Sequence, residues 1–313
     1  MKNILIRCDA SKKIGLGHVV RCLALANELR DLGHNVVFAM KSYKTGLKEV
    51  FSNKFEIEIA PKDLKYKRWL DICIKTNKID IFIGDIRDDL PSKAIKNMKK
   101  KSILTVAIDE PSDYAKECDL CFYPPHANIN TNDYKGKIYQ GFEYVLLRPE
   151  FYKVYKKIKN KVPNILVMMG GTDKYNLTLE IIKQLLLKLK QKTNISVIIK
   201  ENHKDYNDIL NLNKRIDIYS NVDNMTKLLT SIDFAIISFG ISAYELLAMK
   251  VPAIHICLDS DHWNASQLFV DNNFSKRYKK DNINFRLNDF NLKLDGIKIN
   301  KSQVIDKILK KVE

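Results

Sequence analysis

The chain has 313 residues, 45% of them hydrophobic, and a formal net charge of +16 at pH 7. This length accommodates two domains of ordinary size, and the absence of any run of about twenty apolar residues argues against a membrane-spanning helix. The lysines are spread along the chain instead of forming one basic stripe with interleaved aromatics, so nucleic acid is not an expected partner, and the charge reads as a solvated lysine-rich surface or as a field that attracts an anionic substrate.

Residues 2–8 (KNILIRC) are apolar and β-branched, as in a short buried strand. No leader-like segment precedes it, which predicts a cytoplasmic protein. A glycine loop follows, with Gly15, Gly17 and His18, and then residues 16–30 carry apolar side chains at helical spacing. Strand, glycine loop and helix start together suit an anionic ligand, and a histidine there can move a proton near neutral pH. The same pattern also occurs as a plain tight turn with a surface histidine. The third glycine of a dinucleotide fingerprint and the Gly-Lys-Ser/Thr of a P-loop are both missing.

Strand-like and helix-like stretches then alternate: strands at 35–40, 55–59, 80–84, 103–108 and 120–123, helices at 47–51, 66–77 and 92–98. Alternation of this kind predicts a parallel sheet with crossover helices and ligands beyond the carboxyl ends of the strands. His18, Asp85, Arg87, Asp109 and His126 all follow strand ends. Residues 128–141 read as a polar loop, and 152–162 as a lysine-rich connection. We therefore expect domains at 1–155 and 156–313, the second ending in a polar tail from 275 with a final amphipathic segment at 304–312.

The second half restarts with a strand at 164–169, followed by Gly170, Gly171 and Thr172. Helices are expected at 177–189, 206–212, 223–231, 243–249 and 263–271, with strands at 194–199, 216–219, 234–237 and 252–257. The glycine turn at 170–172 and the turn from Ser238 through Gly240 and Ile241 to Ser242 read either as anion-binding helix starts or as ordinary strand-to-helix turns. Glu245 suits ribose hydroxyls or simple helix-dipole complementarity. Asn264 suits a sugar or a water, or caps a helix. His255 reads as structural, and His34 and His203 as surface residues. Of six cysteines only Cys118 and Cys121 form a CxxC, without the second pair a zinc site needs, so all six read as reduced thiols.

Taken together, CDASKKIGLGHVVRCLALANEL, YVLLRPEF at 144–151, MGGTDKYNLT at 169–178 and the region from Asn224 to Asn264 resemble the UDP-sugar hydrolases of pseudaminic acid biosynthesis and the related spore-coat polysaccharide proteins. The chain is also similar to the nucleotide-sugar domain of the peptidoglycan transferase that adds N-acetylglucosamine to lipid I. The resemblance covers residues 1 to about 270. It implies a GT-B fold, two Rossmann-like α/β domains facing across a cleft. It implies a metal-independent enzyme that needs no cofactor and replaces UDP by water at the anomeric carbon with inversion. The implied substrate is a UDP-activated 2,4-diacetamido-trideoxyhexose.

Carried onto this chain, the resemblance makes His18 the base and Asn264 a second catalytic polar residue. Gly17, Asp9, Arg21 and Arg87 would contact substrate from the first domain. Gly171, Thr172, Met225, Ser238, Gly240, Ile241, Ser242 and Glu245 would hold the nucleotide from the second. One departure stands out. After the Asp85 position the hydrolases carry His-Tyr, and this chain carries Ile86-Arg87. An arginine there binds an anionic or carbonyl group and cannot act as a phenol. A GT-B glycosyltransferase, passing the sugar to an acceptor, is the alternative function.

Overall fold

The computed structural model describes residues 1–10, 16–86, 90–109, 111–125, 130–171, 173–189, 193–292, 294 and 299–312. Two compact units emerge: Met1–Arg148 together with Lys301–Glu313, and Pro149–Asn300.

The first unit is a seven-stranded parallel sheet: β1 (Asn3–Cys8), β2 (Asn35–Met40), β3 (Glu56–Ile59), β4 (Ile81–Asp85), β5 (Leu104–Ile108), β6 (Leu120–Tyr123) and β7 (Lys137–Gln140), in the order β3-β2-β1-β4-β5-β6-β7. The crossovers are α1 (Gly17–Asp31), α2 (Lys44–Ser52), α3 (Tyr66–Thr76), α4 (Ser92–Lys100) and α5 (Asp113–Glu117). Central strands are buried on both faces, which is why β1, β4 and β5 read as unbroken apolar runs instead of alternating. One face packs under α1 through Val19, Cys22, Ala26 and Leu29, and the other under α3 and α4 through Trp69, Leu70, Ile95 and Met98. Each fully buried Leu or Ile contributes roughly 1.5–3 kcal/mol.

The second unit has six parallel strands: β8 (Asn164–Met168), β9 (Asn194–Ile198), β10 (Ile216–Tyr219), β11 (Phe234–Ser238), β12 (Ala253–Cys257) and β13 (Ser275–Lys279), in the order β10-β9-β8-β11-β12-β13. Its helices are α6 (Thr178–Lys188), α7 (Tyr206–Leu212), α8 (Met225–Leu229), α9 (Ile241–Ala248), α10 (Ser260–Ala265) and α11 (Gln267–Asp271). The last helix, α12 (Val304–Leu309), belongs to the first unit.

Three expectations need correction. The stretch 128–141 contains a strand, β7, paired parallel to β6 with Leu120 opposite Lys137. The polar tail contains another, β13, paired to β12. The terminal segment does not extend the second domain: Val304, Ile305 and Ile308 are buried in the core of the first unit, because an amphipathic turn buries its apolar side wherever a core will take it. Among the described residues no helix is long and apolar enough to cross a membrane.

Candidate functional site

Parallel neighbours β1, β4 and β5 bring three loops to one edge of the first sheet. Cys8 lies opposite Asp85 in register, and Asp109 follows β5 directly. Asp85 is completely buried at the last position of β4. An unpaired carboxylate there would cost several kcal/mol, so its partners decide its state.

Those partners come from the first turn and a half of α1. Arg21 donates from Nε to Asp85 Oδ2 and from Nη2 to Oδ1, each at 2.5 Å, and from Nη1 to Asp109 Oδ2 at 2.5 Å. Burial by itself would raise the Asp85 pKa, but the Arg21 and His18 charges and hydrogen bonds override it and hold the carboxyl well below its usual range. Burial would likewise lower the Arg21 pKa, and Asp85 and Asp109 instead raise it above its ordinary value. The Cys22 thiol donates to Asp85 Oδ2 at 3.4 Å, and burial pushes its pKa up, so no thiolate competes for the guanidinium.

His18, three residues before Arg21, places Nδ1 2.6 Å from Asp85 Oδ1. Asp85 is ionised and can only accept, so Nδ1 carries the proton and donates it. Arg21 Nη2, 3.1 Å from the same nitrogen, therefore finds no lone pair there. In the neutral ring this tautomer puts the lone pair on Nε2, which has no partner among the described residues. With 16% of its side chain exposed, the ring can take up a proton at Nε2 from a molecule that reaches it.

The other residues expected in the first half divide. Gly17 opens α1 beside His18. Asp9 is a brace: Oδ2 accepts from Arg7 Nη2 at 2.6 Å and Oδ1 from the Lys41 backbone N–H at 2.7 Å, tying the ends of β1 and β2. Arg21 is committed to the carboxylates of Asp85 and Asp109. Arg87 and His126 lie outside the described residues.

In the second unit, β8 and β11 are neighbours, so their following turns adjoin. Gly170 has φ of +78°, which glycine adopts without strain, and a Cβ there would stand 3.3 Å from Ser238 Oγ. A Cβ on Gly171 or Gly240 would meet nothing within 4 Å, so both turns are open. Gly240 precedes α9, whose first residues Ile241 and Ser242 have no side-chain cap and no acid in the first turn, leaving backbone N–H groups for an anion. Glu245 is buried one turn further on. Asp173 fastens the other turn to α6, accepting from the Leu177 and Thr178 N–H groups at 2.9 Å each. Met225 is half-buried at the start of α8, behind the Asn224 cap. Thr172 lies outside the described residues.

Asn264 is not a cap. Asp259 fills that role for α10, accepting from the His262 N–H at 2.9 Å, and Asn264 stands exposed in the last turn. His255 is structural: burial drives its pKa down to about 3, and it packs edge-on against Phe239 and Phe269. His203 is not a surface residue. Its Nε2 is buried 3.8 Å from Asp173 Oδ2, behind the glycine turn. All six cysteines are buried and unpaired. No cluster of potential metal ligands occurs among the described residues.

Sequence reasoning placed Asp85 and Asp109 at strand ends without giving either a role. The signal was present: an acid closing a fully apolar strand needs a cation, and Arg21 lies on the helix face that carries His18.

Two parallel α/β units with glycine turns at strand ends define a GT-B protein. MurG of Acinetobacter baumannii superposes with a TM-score of 0.73 at 13% identity, over 100% of this chain and 99% of that one. By sequence, the chain is a distant homologue of a group that includes a UDP-sugar hydrolase. It is 28% identical over 292 residues to the UDP-2,4-diacetamido-2,4,6-trideoxy-beta-L-altropyranose hydrolase of Campylobacter jejuni, covering 88% of this chain and 99% of that protein. It is 22% identical over 277 residues to the spore coat polysaccharide biosynthesis protein SpsG of Bacillus subtilis, covering 85% and 80%. An uncharacterized protein of Methanocaldococcus jannaschii is 32% identical over 305 residues; the match takes in 90% of this chain and 60% of that protein's length. No family model matches.

Proposed function

We propose that this chain is a nucleotide-sugar hydrolase that releases UDP from a UDP-activated 2,4-diacetamido-trideoxyhexose, in pseudaminic-type nonulosonic acid or related surface-glycan biosynthesis in the cytoplasm. The observation that carries this reading is the His18–Asp85 hydrogen bond at 2.6 Å, which leaves Nε2 as the acceptor for a proton. The homology to the Campylobacter jejuni hydrolase along nearly that protein's full length supports the substrate class.

The turns at Gly170–Gly171 and Ser238–Ser242, with Thr172, Met225 and Glu245, hold the nucleotide. Asn264 and Arg87 contact the sugar. A water gives a proton to His18 Nε2 as its oxygen bonds to the anomeric carbon, and the bond from that carbon to the diphosphate oxygen breaks. UDP departs with the bonding pair, received by helix N–H groups, and the configuration inverts. No metal or cofactor is called for.

The test is incubation with UDP-2,4-diacetamido-2,4,6-trideoxy-beta-L-altropyranose and no acceptor. Stoichiometric UDP and free sugar of inverted configuration are expected. The full-length likeness to MurG favours a second reading, a GT-B glycosyltransferase. Turnover that appears only with an added acceptor would replace the first reading with the second.

A further inference from the structure

The opposite edge of the first sheet holds a feature the hydrolase reading does not use. At the amino ends of β6 and β7, against α12, lies a cavity of about 460 Å³. Five lysines line it (Lys135, Lys137, Lys307, Lys310 and Lys311) against one carboxylate, Asp119. A second cavity of about 420 Å³ shares Asp119 and Lys311 and adds Lys2, Lys99 and a further carboxylate, Asp80.

Pairing leaves most of this charge uncompensated. Lys135 is taken by Glu117, at 2.7 Å, and Asp119 by Lys99, at 2.9 Å. Lys137, Lys307, Lys310 and Lys311 have no acidic partner within 4.0 Å among the described residues. The dipole of α12 accounts for lysines in its last turn. It does not account for Lys137, which faces them from β7.

Two of these lysines, Lys137 and Lys307, are also held in place. The Tyr139 ring stacks on Phe122, centroids 5.1 Å apart and planes 9° apart. The Lys137 and Lys307 ammonium groups stand 5.0 and 5.8 Å from its centroid, so one ring gathers cations from two elements. Gly136 lets the lysine turn press against the start of β6, where a Cβ would fall 2.1 Å from the Cys118 carbonyl oxygen. Four like charges lining one concavity repel each other and focus a positive potential into it.

We propose that this cavity is a second anion site, separate from the His18 edge, that takes a compact oligophosphate of two or more adjoining phosphate groups. Lysine ammoniums bind phosphate as point charges. The phosphates can belong to a soluble oligophosphate or to the diphosphate headgroup of a lipid. The proposal does not rest on the hydrolase reading, because His18, Asp85 and both glycine turns lie at carboxyl ends of strands and this cavity lies at amino ends.

The test is calorimetric titration of the full chain with inorganic tripolyphosphate. The cavity variant carries Lys137→Ala, Lys310→Ala and Lys311→Ala, all exposed positions; the control carries Lys44→Ala, Lys48→Ala and Lys62→Ala, with the same loss of charge and also exposed. Affinity should fall about tenfold or more in the cavity variant and stay within about twofold in the control. UDP release from the nucleotide sugar should be unchanged in both. A parallel arm sediments the protein with phosphatidylcholine vesicles, with and without a polyprenyl diphosphate. Binding that needs the diphosphate lipid and is lost in the cavity variant supports the headgroup source, and tripolyphosphate binding alone supports the soluble one. Equal affinity in the two variants, or no saturable binding to either probe, overturns the proposal.

Discussion

His18 Nδ1 donates to Asp85 Oδ1 across 2.6 Å, although 67 residues of chain separate them. The carboxylate is fully buried and gripped on both oxygens by Arg21, so it cannot turn away or take up a proton in the physiological range. The imidazole is therefore held in one tautomer and one orientation. Asp85→Asn keeps the size and removes the charge. Its amide can offer Nδ1 a donor and so reverse the tautomer. We expect kcat to fall by about 10²–10⁴-fold, with UDP affinity little changed. Initial rates and a UDP titration measure both, and a wild-type kcat would remove Asp85 from the mechanism.

Replacing the base itself gives the complementary result. His18→Asn can still donate to Asp85 through its amide N–H but carries no basic group. Turnover should disappear and the Kd for UDP should stay within about twofold, since the turns we propose for the nucleotide are on the other unit. Residual hydrolysis close to wild type would assign the proton transfer elsewhere.

What could be read in advance follows from where the information sits. Local pattern announced β1, the helix after it and His18, because a buried parallel strand and an amphipathic helix write their periodicity into adjacent residues. It could not announce β7 or β13. Lys-Ile-Tyr-Gln and Ser-Lys-Arg-Tyr-Lys are polar because they flank the sheet, and each is a strand only through its neighbour's hydrogen bonds. Asp85 was visible as a strand end, but its grip by Arg21 depends on β4 lying next to β1, a fact of strand order. The pairing of Asp9 was not legible for a similar reason: its partner Arg7 sits in a strand buried on both faces and takes the carboxylate.

That pair yields a stability prediction. Arg7 is fully buried, with Nε on the Tyr66 hydroxyl at 2.8 Å and Nη2 on Asp9. Asp9→Ala would take a paired carboxylate from a buried guanidinium, and breaking a buried pair costs about 3–5 kcal/mol. Urea unfolding should show that loss in the midpoint at constant m. A change below about 1 kcal/mol would mean that Tyr66 and the carbonyls of Cys8 and Ala39 suffice for Arg7.

Acid should weaken the second unit through His255. Burial lowers its pKa from 6.5 to about 3, so between those values the unfolded chain binds a proton that the folded chain does not. Stability then rises with pH across that window and falls on acidification, by up to about 1.4 kcal/mol per pH unit from this one group. Asp85 acts in the same direction at lower pH: its depressed pKa stabilises the fold above the unfolded carboxylate value, and that contribution is lost as pH falls toward the folded one. His255→Leu should flatten the dependence of unfolding free energy between pH 6.5 and about pH 3 and leave the limb below that unchanged. Parallel slopes for variant and wild type would contradict the assignment.

The glycine turn after β8 allows a test of the nucleotide site that leaves packing alone. A side chain at Gly171 starts into open space, with no atom within 4 Å of its Cβ, and the residue does not need a positive φ. Gly171→Asp should therefore fold with an unchanged thermal midpoint. Its carboxylate would stand where a diphosphate oxygen is expected. Two like charges about 4 Å apart at an effective dielectric of about 20 repel by roughly 4 kcal/mol, well above the 1.4 kcal/mol that makes a tenfold change in Kd. UDP affinity should drop by more than about tenfold, and Gly171→Ala should bind nearly as wild type. If the aspartate variant binds UDP normally, the diphosphate does not sit on this turn.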